Sequence, residues 1–200
     1  MWDQRYAVDN YVYGTEANDF LKQAMLRLNP QPGQTVLCLA EGEGRNAVYL
    51  AGLGLEVHAV DASKVGLQKA TALAQARGVE IQTEVVDLTD YDLGEHRWDY
   101  IVSIFCHLPE ALRVDVHAKV CRALKAGGHF ILEAYRPEQL EYASGGPKDP
   151  QMLMDLQRLH CECESLEFVA AEEVEREIHE GALHTGMGAV VQLIAAKTGE

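Results

Sequence analysis

One segment of this 200-residue chain constrains its fold more than any other: a buried-strand pattern that ends in a glycine-rich turn. Residues 36–40 are all apolar, and Gly42 and Gly44 follow them one residue apart. After a helical pattern, a second, mostly apolar run at 55–60 ends in Asp61. This order is typical of a βαβ unit in a parallel sheet. We expect the two glycines to let a ligand approach the backbone closely, because a Cβ atom there would collide with it.

The rest of the chain alternates strand and helix patterns as far as residue 162. Strands are predicted at 35–40, 55–60, 79–86, 98–105 and 129–135, and helices at 44–53, 63–78, 109–124 and about 150–162. Two last strands, 166–179 and 184–197, are joined by only four residues, so they must pair antiparallel. The predicted fold class is therefore α/β. It is a Rossmann-like seven-stranded mixed sheet of five parallel βα units and a C-terminal antiparallel hairpin, with helices on both faces.

The length fits a single domain with three parts. These parts are an N-terminal cap at 1–34, the βα units at 35–135, and a C-terminal helix and hairpin at 136–200. The aromatic segment 11–14 belongs to no strand pattern. It has two interpretations, a lid over the site or a hydrophobic strap along the side of the sheet.

The composition disfavours several classes of protein. The net charge is −14 and no basic stripe is present, so a nucleic-acid partner is not expected. No stretch approaches the roughly 20 apolar residues of a membrane span, and the start has no signal-peptide pattern, so a cytoplasmic location is expected. The five cysteines contain no C-x-x-C pair and are expected to be reduced thiols. The segment 160–163 lacks a second pair of ligands, so no metal site is predicted.

The glycine turn alone fits several adenosine-bearing cofactors. The G-x-G-x-x-A spacing of residues 42–47 serves NAD, FAD or S-adenosylmethionine (SAM). Glu41, directly before it, opposes a pyrophosphate but suits a sulfonium ligand that also carries an ammonium group. Asp61 can accept hydrogen bonds from both ribose hydroxyls, and Asp87 can accept one from the exocyclic amine of adenine. Together with the terminal hairpin, which is foreign to a dinucleotide fold, these acids favour SAM.

With these motifs in order, the chain resembles class I SAM-dependent methyltransferases over nearly its whole length. Segments 36–44, 98–102 and 124–128 are similar to the family's first motif, its fourth-strand motif and the start of its fifth strand. Segments 11–16 and 105–109 resemble more narrowly the small methyltransferases grouped with tellurite-resistance and thiopurine enzymes. The resemblance implies a SAM site formed by Glu41, Gly42, Gly44, Arg45, Asp61, Ala62, Asp87, Leu88, Phe105 and Tyr11.

Two positions in the first strand depart from the family's pattern. Cys38 stands where the family usually has Asp, and Ala40 where it has Gly. The first change removes one polar contact that the family makes to the amino-acid end of SAM. Glu41 lies nearer the end of the strand and could replace it.

The resemblance implies methyl transfer to a small-molecule acceptor, such as a thiol or a selenium or tellurium oxyanion. Soft nucleophiles of this kind need no base, whereas oxygen and nitrogen nucleophiles often do. His107 is the candidate general base, or else a brace of its loop. Arg136 is the candidate contact for an anionic substrate, or else the partner of a nearby Glu. His184, beside the hairpin turn, is a further candidate substrate contact.

Two other functions fit the same residues. The first is a SAM-binding domain that transfers nothing, because no catalytic dyad stands out and Cys38 replaces an acid. The second is an NAD-linked reductase, which the terminal hairpin disfavours.

Overall fold

The computed structural model describes residues 2–181 and 184–199. The strands are β1 (Thr35–Leu39), β2 (Glu56–Asp61), β3 (Gln82–Val85), β4 (Trp98–Ile104), β5 (Leu124–Tyr135), β6 (Glu167–His179) and β7 (Thr185–Ala196). The α-helices are α1 (Trp2–Tyr6), α2 (Asp19–Leu28), α3 (Arg45–Gly52), α4 (Lys64–Arg77), α5 (Glu110–Ala123) and α6 (Leu156–Glu162). Short 3-10 turns occupy Pro137–Glu141 and Pro150–Met152. None of the described helices is long and apolar enough to cross a lipid bilayer.

All seven strands form one mixed sheet in the order β3-β2-β1-β4-β5-β7-β6. Strands β1 to β5 are parallel, and β7 is antiparallel to both of its neighbours, β5 and β6. The predicted fold class, five parallel βα units with an antiparallel hairpin, is confirmed. The hairpin adds its second strand next to β5 and leaves β6 at the edge.

The sheet has a hydrophobic core on each face, because side chains alternate along its strands. Leu37 and Leu39 of β1 pack in the core that includes α5 and α6. Val36 and Cys38 pack in the opposite core, with residues of α2, α3 and α4. Helices on both faces therefore cover the central strands, as the apolar pattern predicted.

The structure corrects the predicted C-terminal helix at 150–162. A 3-10 turn at Pro150–Met152 is followed by two buried residues, and α6 begins only at Leu156. The break has a local cause, since Asp149 and Asp155 each accept a hydrogen bond from a backbone N–H two or three residues ahead. Each side chain thus starts its own short turn.

The fifth strand also differs from the prediction. It begins at Leu124 rather than at 129, and Leu124 pairs with Trp98 across a register irregularity in β4. The glycines at 127 and 128, which the sequence placed between the preceding helix and the strand, are part of this strand.

Two glycines that were expected to make room for a ligand make room for the chain itself. Gly44 precedes α3 with φ 91°, and a Cβ atom there would lie 2.5 Å from the Cβ of Ala70 in α4. Gly42 has φ 63°, and its Cβ would lie 2.6 Å from the hydroxyl of Tyr6 in α1. Close packing of the helices against this turn is therefore the reason for both glycines.

Two of the four described non-glycine residues with a positive φ lie at the carboxyl edge of the parallel strands, whereas Asn29 and His96 lie elsewhere. Ala40 follows β1 with φ 49°, and Phe105 follows β4 with φ 53°. A left-handed backbone costs a non-glycine residue about 1–2 kcal/mol, and such residues are concentrated at functional sites. The carboxyl edge of the parallel strands is thus the place to look for a site.

We predict that Gly44→Ala destabilises the protein by about 2–4 kcal/mol, through left-handed strain and overpacking against Ala70. Urea unfolding at 25 °C measures the change. Gly52→Ala is the matched control, because Gly52 is in the last turn of α3 with open space around it. The control should be neutral or stabilising by up to about 1 kcal/mol. Equal free energies of unfolding for the two variants would contradict the packing argument.

Candidate active site

A cavity of about 570 Å³ opens at the carboxyl edge of the parallel strands. That volume is within the usual range of small-molecule sites. Residues of five regions form its walls: Trp2, Arg5, Tyr6 and Tyr13 from the N-terminal segment; Ala40, Glu41, Glu43, Arg45 and Asn46 after β1; Asp61 and Ala62 after β2; Asp87 and Leu88 after β3; and Phe105 and His107 after β4. Pro147, Met152 and His184 line it from the C-terminal part.

Asp61 joins two strands at the floor of the cavity. Its carboxylate accepts hydrogen bonds from the backbone N–H of Gly42 (2.9 Å) and of Ser63 (2.7 Å). Burial raises the pKa of this carboxyl above its ordinary value, while the two backbone donors favour the ionised form. A carboxylate offers about four acceptor positions, so Asp61 can still accept from hydroxyl groups of a ligand.

Glu41 caps the helix that follows the glycine turn. Its Oε1 accepts hydrogen bonds from the N–H groups of Asn46 (3.0 Å) and Ala47 (2.8 Å) in α3. Burial raises the pKa of Glu41 to about 7. Burial and the neighbouring Glu41 carboxylate raise the pKa of the Cys38 thiol well above its ordinary value. An acid thus lies three residues after the cysteine, beyond the end of β1.

The β3 end of the cavity holds Asp87 and Leu88. Asp87 accepts a hydrogen bond from the N–H of Thr89 (2.9 Å), and hydrogen bonds from this residue lower the pKa of its carboxyl. Leu88 is buried and packs in the core beneath. An ionised acceptor beside an apolar surface is suited to a planar base with an exocyclic amine.

The N-terminal segment supplies both a wall of the cavity and a strap beside it. Tyr13 lines the cavity, whereas Tyr11 does not. The Tyr11 hydroxyl donates to the carbonyl of Lys69, and its ring packs against the Val48 cluster between α3 and α4. The assignment of Tyr11 to the cofactor site is therefore wrong, because its side chain points to the side of the sheet.

One buried ion pair holds this segment in place. Glu43 pairs with Lys69 at 2.6 Å and accepts hydrogen bonds from the N–H groups of Val12 and Tyr13. The Lys69 ammonium also donates to three backbone carbonyls of residues 6–10. Orphaned backbone groups on both sides of the turn are thereby satisfied.

His107 lines the cavity but has no lone pair free for proton transfer. Its Nε2 accepts a hydrogen bond from the N–H of Tyr135 (3.0 Å), and its Nδ1 contacts the carbonyl of Phe105 (3.1 Å) as donor. Burial lowers its pKa to about 3. These contacts favour the alternative interpretation over the general base, because they let His107 brace the loop after β4 against the end of β5.

Arg136 lies outside the cavity. Its guanidinium pairs with Glu138 at 3.0 Å and with Glu173 at 3.5 Å. Because it does not line the cavity, a role as the contact for an anionic substrate is not supported. The alternative interpretation, an arginine paired with neighbouring glutamates, describes this position.

Arg45 is held by a buried network that the sequence analysis missed. Its guanidinium pairs with Glu180, whose other oxygen accepts from Asn18 and from Arg176. Arg176 also pairs with Glu133, which is fully buried in β5. A signal was available, because an acid within the apolar strand of residues 130–134 requires a partner.

His184 stands in an aromatic cluster at the end of the hairpin. Its ring centroid lies 4.7 Å from that of Tyr13, 4.8 Å from Phe105 and 5.5 Å from Tyr135. Burial and, second to it, the charge of Arg45 lower its pKa to about 4. The ring is therefore neutral at physiological pH and available for hydrogen bonding.

The thiols add no further site in the part of the chain that the structure describes. All five cysteines are free, and four of them are buried. In residues 2–181 and 184–199 no group of three or more His, Cys, Asp or Glu side chains could hold a metal ion.

Comparisons with known proteins agree with this geometry. Residues 36–128 match a family described as a methyltransferase domain. A curated relative, phosphoethanolamine N-methyltransferase 2 of Caenorhabditis elegans, is 28% identical over 109 residues, which are 52% of this chain and 24% of the relative. The chain thus spans about a quarter of the length of that protein.

Solved structures share the fold. One, from work on the conversion of a disulfide bond into a thioacetal group during echinomycin biosynthesis, aligns with a TM-score of 0.78 and 17% identity over 98% of this chain and 90% of the other. TehB from Haemophilus influenzae aligns with a TM-score of 0.75 and 20% identity over 92% of this chain and 64% of TehB. The mixed sheet with its terminal hairpin is common to these proteins.

We predict that His107→Gln lowers stability near pH 7 by about 1–3 kcal/mol and flattens its pH dependence. The folded-state pKa of His107 is depressed to about 3, so the unfolded chain binds the extra proton and stability is lost as the pH falls below about 6.5. Between pH 5.5 and 4.5 the gap between wild type and variant should narrow by about 1.4 kcal/mol. Urea unfolding at each pH measures it.

His179→Gln, an exposed position on β6, controls for removing one histidine from the chain. A free-energy gap between wild type and His107→Gln that stays constant from pH 7 to 4.5 would show that burial does not keep His107 neutral.

Proposed function

We propose that this chain, which carries a class I SAM-dependent methyltransferase domain, is an enzyme that methylates a small molecule. S-adenosylmethionine is the cofactor of this domain, and the residues around the cavity fit it. The observation that carries the proposal is the division of the cavity. Ionisable acids line the side next to β1, β2 and β3, and an aromatic pocket with a buried arginine lines the side next to β4 and the hairpin.

The acidic side matches the chemistry of the cofactor. Glu41 would face its ammonium group and its sulfonium charge, and a cation there favours the ionised form of a carboxyl whose pKa is about 7. Asp61 would accept hydrogen bonds from the ribose hydroxyls. Asp87 would accept one from the adenine amine, while Leu88 and Ala62 would pack against the flat faces of the adenosine.

The remaining chemistry is a matter of alignment. The cofactor supplies a methyl group on a positively charged sulfur, which leaves as a neutral thioether when the nucleophile of the acceptor bonds to the methyl carbon. The chain has to hold the acceptor in line with that bond and exclude water, and it can do so with the Tyr13, Phe105 and His184 rings. Such alignment lowers the activation free energy by several kcal/mol without any proton transfer.

The acceptor atom is proposed to be soft, namely sulfur, selenium or tellurium. Glu41, Glu43 and Asp61 are all engaged with backbone N–H groups, and both nitrogens of His107 have partners. His184 has a pKa of about 4 and is a weak base. A nucleophile that needs no base is therefore the one that suits this cavity.

The same scarcity of bases favours one second candidate, a domain that binds SAM and transfers nothing. The NAD-linked reductase has less support, because β7 runs antiparallel beside β5 where a dinucleotide fold has a parallel strand.

We predict that the protein binds SAM and that Asp61→Asn weakens binding about 10- to 100-fold. The amide cannot accept from the Gly42 N–H and the ribose hydroxyls as the carboxylate does. Titration calorimetry measures the affinity. Asp99→Asn is the matched control, since Asp99 begins β4 at the opposite edge of the sheet and pairs with Lys125. No heat with SAM in the wild-type protein would refute the proposed function.

We also predict methyl transfer from labelled SAM to at least one member of a panel of thiols, selenite and tellurite. Transfer should fall in Asp61→Asn in proportion to the lost occupancy of the cofactor. Any turnover above that variant excludes the binding-only alternative. SAM binding without turnover on the panel would favour that alternative instead.

A further inference from the structure

Two residues that line the cavity, Arg45 and His184, each have one buried side-chain nitrogen without a hydrogen-bond partner in the described chain. These nitrogens are Nη1 of Arg45 and Nδ1 of His184. The Arg45 side chain is 92% buried, since only 8% of it is exposed, and its Nη2 is already paired with Glu180. A buried polar atom without a partner destabilises the protein, so each of these positions favours a ligand that supplies an acceptor.

From this pair we infer that the pocket beside β4 and the hairpin binds an anionic group of the methyl acceptor, a carboxylate or an oxyanion, between Arg45 and His184. The inference rests on the proposed function and specifies its substrate class. Arg45 was assigned to the cofactor site from sequence, whereas here we assign it to the acceptor site.

The electrostatics of the pocket support an anion. His184 is neutral, so its Nδ1 can carry the proton and donate it to an anionic oxygen. Besides burial, the charges of Arg45, Arg5 and Arg176 lower the pKa of this imidazole, while Glu180 raises it. Three cations thus act on His184 against one carboxylate, although the protein as a whole carries a charge of −14. The charges that act on His184 are thus mostly positive, although Glu180 and Glu133 pair with Arg45 and Arg176.

The position of the two donors favours the acceptor over the carboxylate of SAM. His184 contacts the rings of Phe105 and Tyr135, which end β4 and β5, whereas the acids suited to SAM follow β1, β2 and β3. Glu180 holds Arg45 from behind, and Arg176 and Asn18 hold Glu180 in turn. The guanidinium is therefore oriented before any ligand arrives, which lowers the entropic cost of binding.

Two variants remove one donor each and keep the surrounding structure. Arg45→Lys retains a positive partner for Glu180 but has a single nitrogen, and His184→Phe retains a ring against Tyr13 and Phe105. Arg113→Lys is the matched control, a fully buried arginine paired with Glu162 and absent from the cavity wall. The protein is first saturated with S-adenosylhomocysteine, whose affinity is measured for every variant. Selenate and 3-mercaptopropionate are then titrated in by calorimetry, with 3-mercapto-1-propanol as the neutral counterpart.

We expect both anions to bind the saturated wild-type protein, and the neutral thiol to bind at least tenfold more weakly. Arg45→Lys and His184→Phe should each weaken anion binding about 10- to 100-fold, the loss of one hydrogen bond to a charged group. Their affinity for S-adenosylhomocysteine, and anion binding by Arg113→Lys, should stay within about twofold of wild type. Thermal unfolding of each variant confirms that it is folded.

Three results would overturn the inference. The first is that neither anion produces heat with the saturated protein, and the second is that the charged and neutral thiols bind with the same affinity. A parallel loss of S-adenosylhomocysteine affinity in both variants would assign the two nitrogens to the cofactor's carboxylate. Failure to bind S-adenosylhomocysteine at all would refute the proposed function itself, and the inference with it.

Discussion

The carboxylate of Asp61 is the contact on which the candidate site depends. It accepts hydrogen bonds from Gly42 in the turn after β1 and from Ser63 at the start of α4, so one side chain joins two strand ends to two helices. Ser63 caps α4 and donates its hydroxyl to Asp3 in α1. The N-terminal helix is therefore docked on the same small group of polar atoms. The Asp61 carboxylate also lines the cavity. The hydrogen bonds that stabilise the fold at this point therefore also position the residues on the side of the cavity where we propose that the cofactor binds.

The side of the cavity next to β4 and the hairpin, where we propose that the methyl acceptor binds, depends on a different kind of interaction. It is a buried network of charges. Glu133 in β5, Glu180 in the hairpin and Arg45 in α3 are far apart in sequence, and Asn18 contacts both carboxylates. Buried ion pairs add little net stability, because the desolvation of both charges offsets their attraction. Their consequence here is geometric. The position of Arg45 therefore depends on contacts of both the N-terminal segment and the hairpin, which are remote from it in sequence.

The sequence predicted most of the sheet and about half of the site. Strands and helices were found because apolar periodicity is a local property, and the four-residue link between the last two strands left only antiparallel pairing. Asp61 and Asp87 were found because the carboxyl ends of parallel strands share one edge. The contacts of His107, Arg136 and Tyr11 were not predictable, since the direction of a side chain on a loop depends on partners such as Tyr135, which are remote in sequence.

The sequence by itself determined the class of fold and the edge of the sheet where a ligand can bind. The spacing of apolar runs, glycines and acids is enough for that, because chain order and strand direction follow from local patterns. Only the tertiary structure decided which ionisable groups remain free. Backbone groups are hydrogen-bonded to His107, and Glu180 pairs with one nitrogen of the Arg45 guanidinium. The hairpin brings His184 beside Phe105. Hydrogen-bond satisfaction is a property of the assembled molecule, so no spacing along the chain could have separated His107, whose two nitrogens have partners, from His184, whose Nδ1 has none in the described chain.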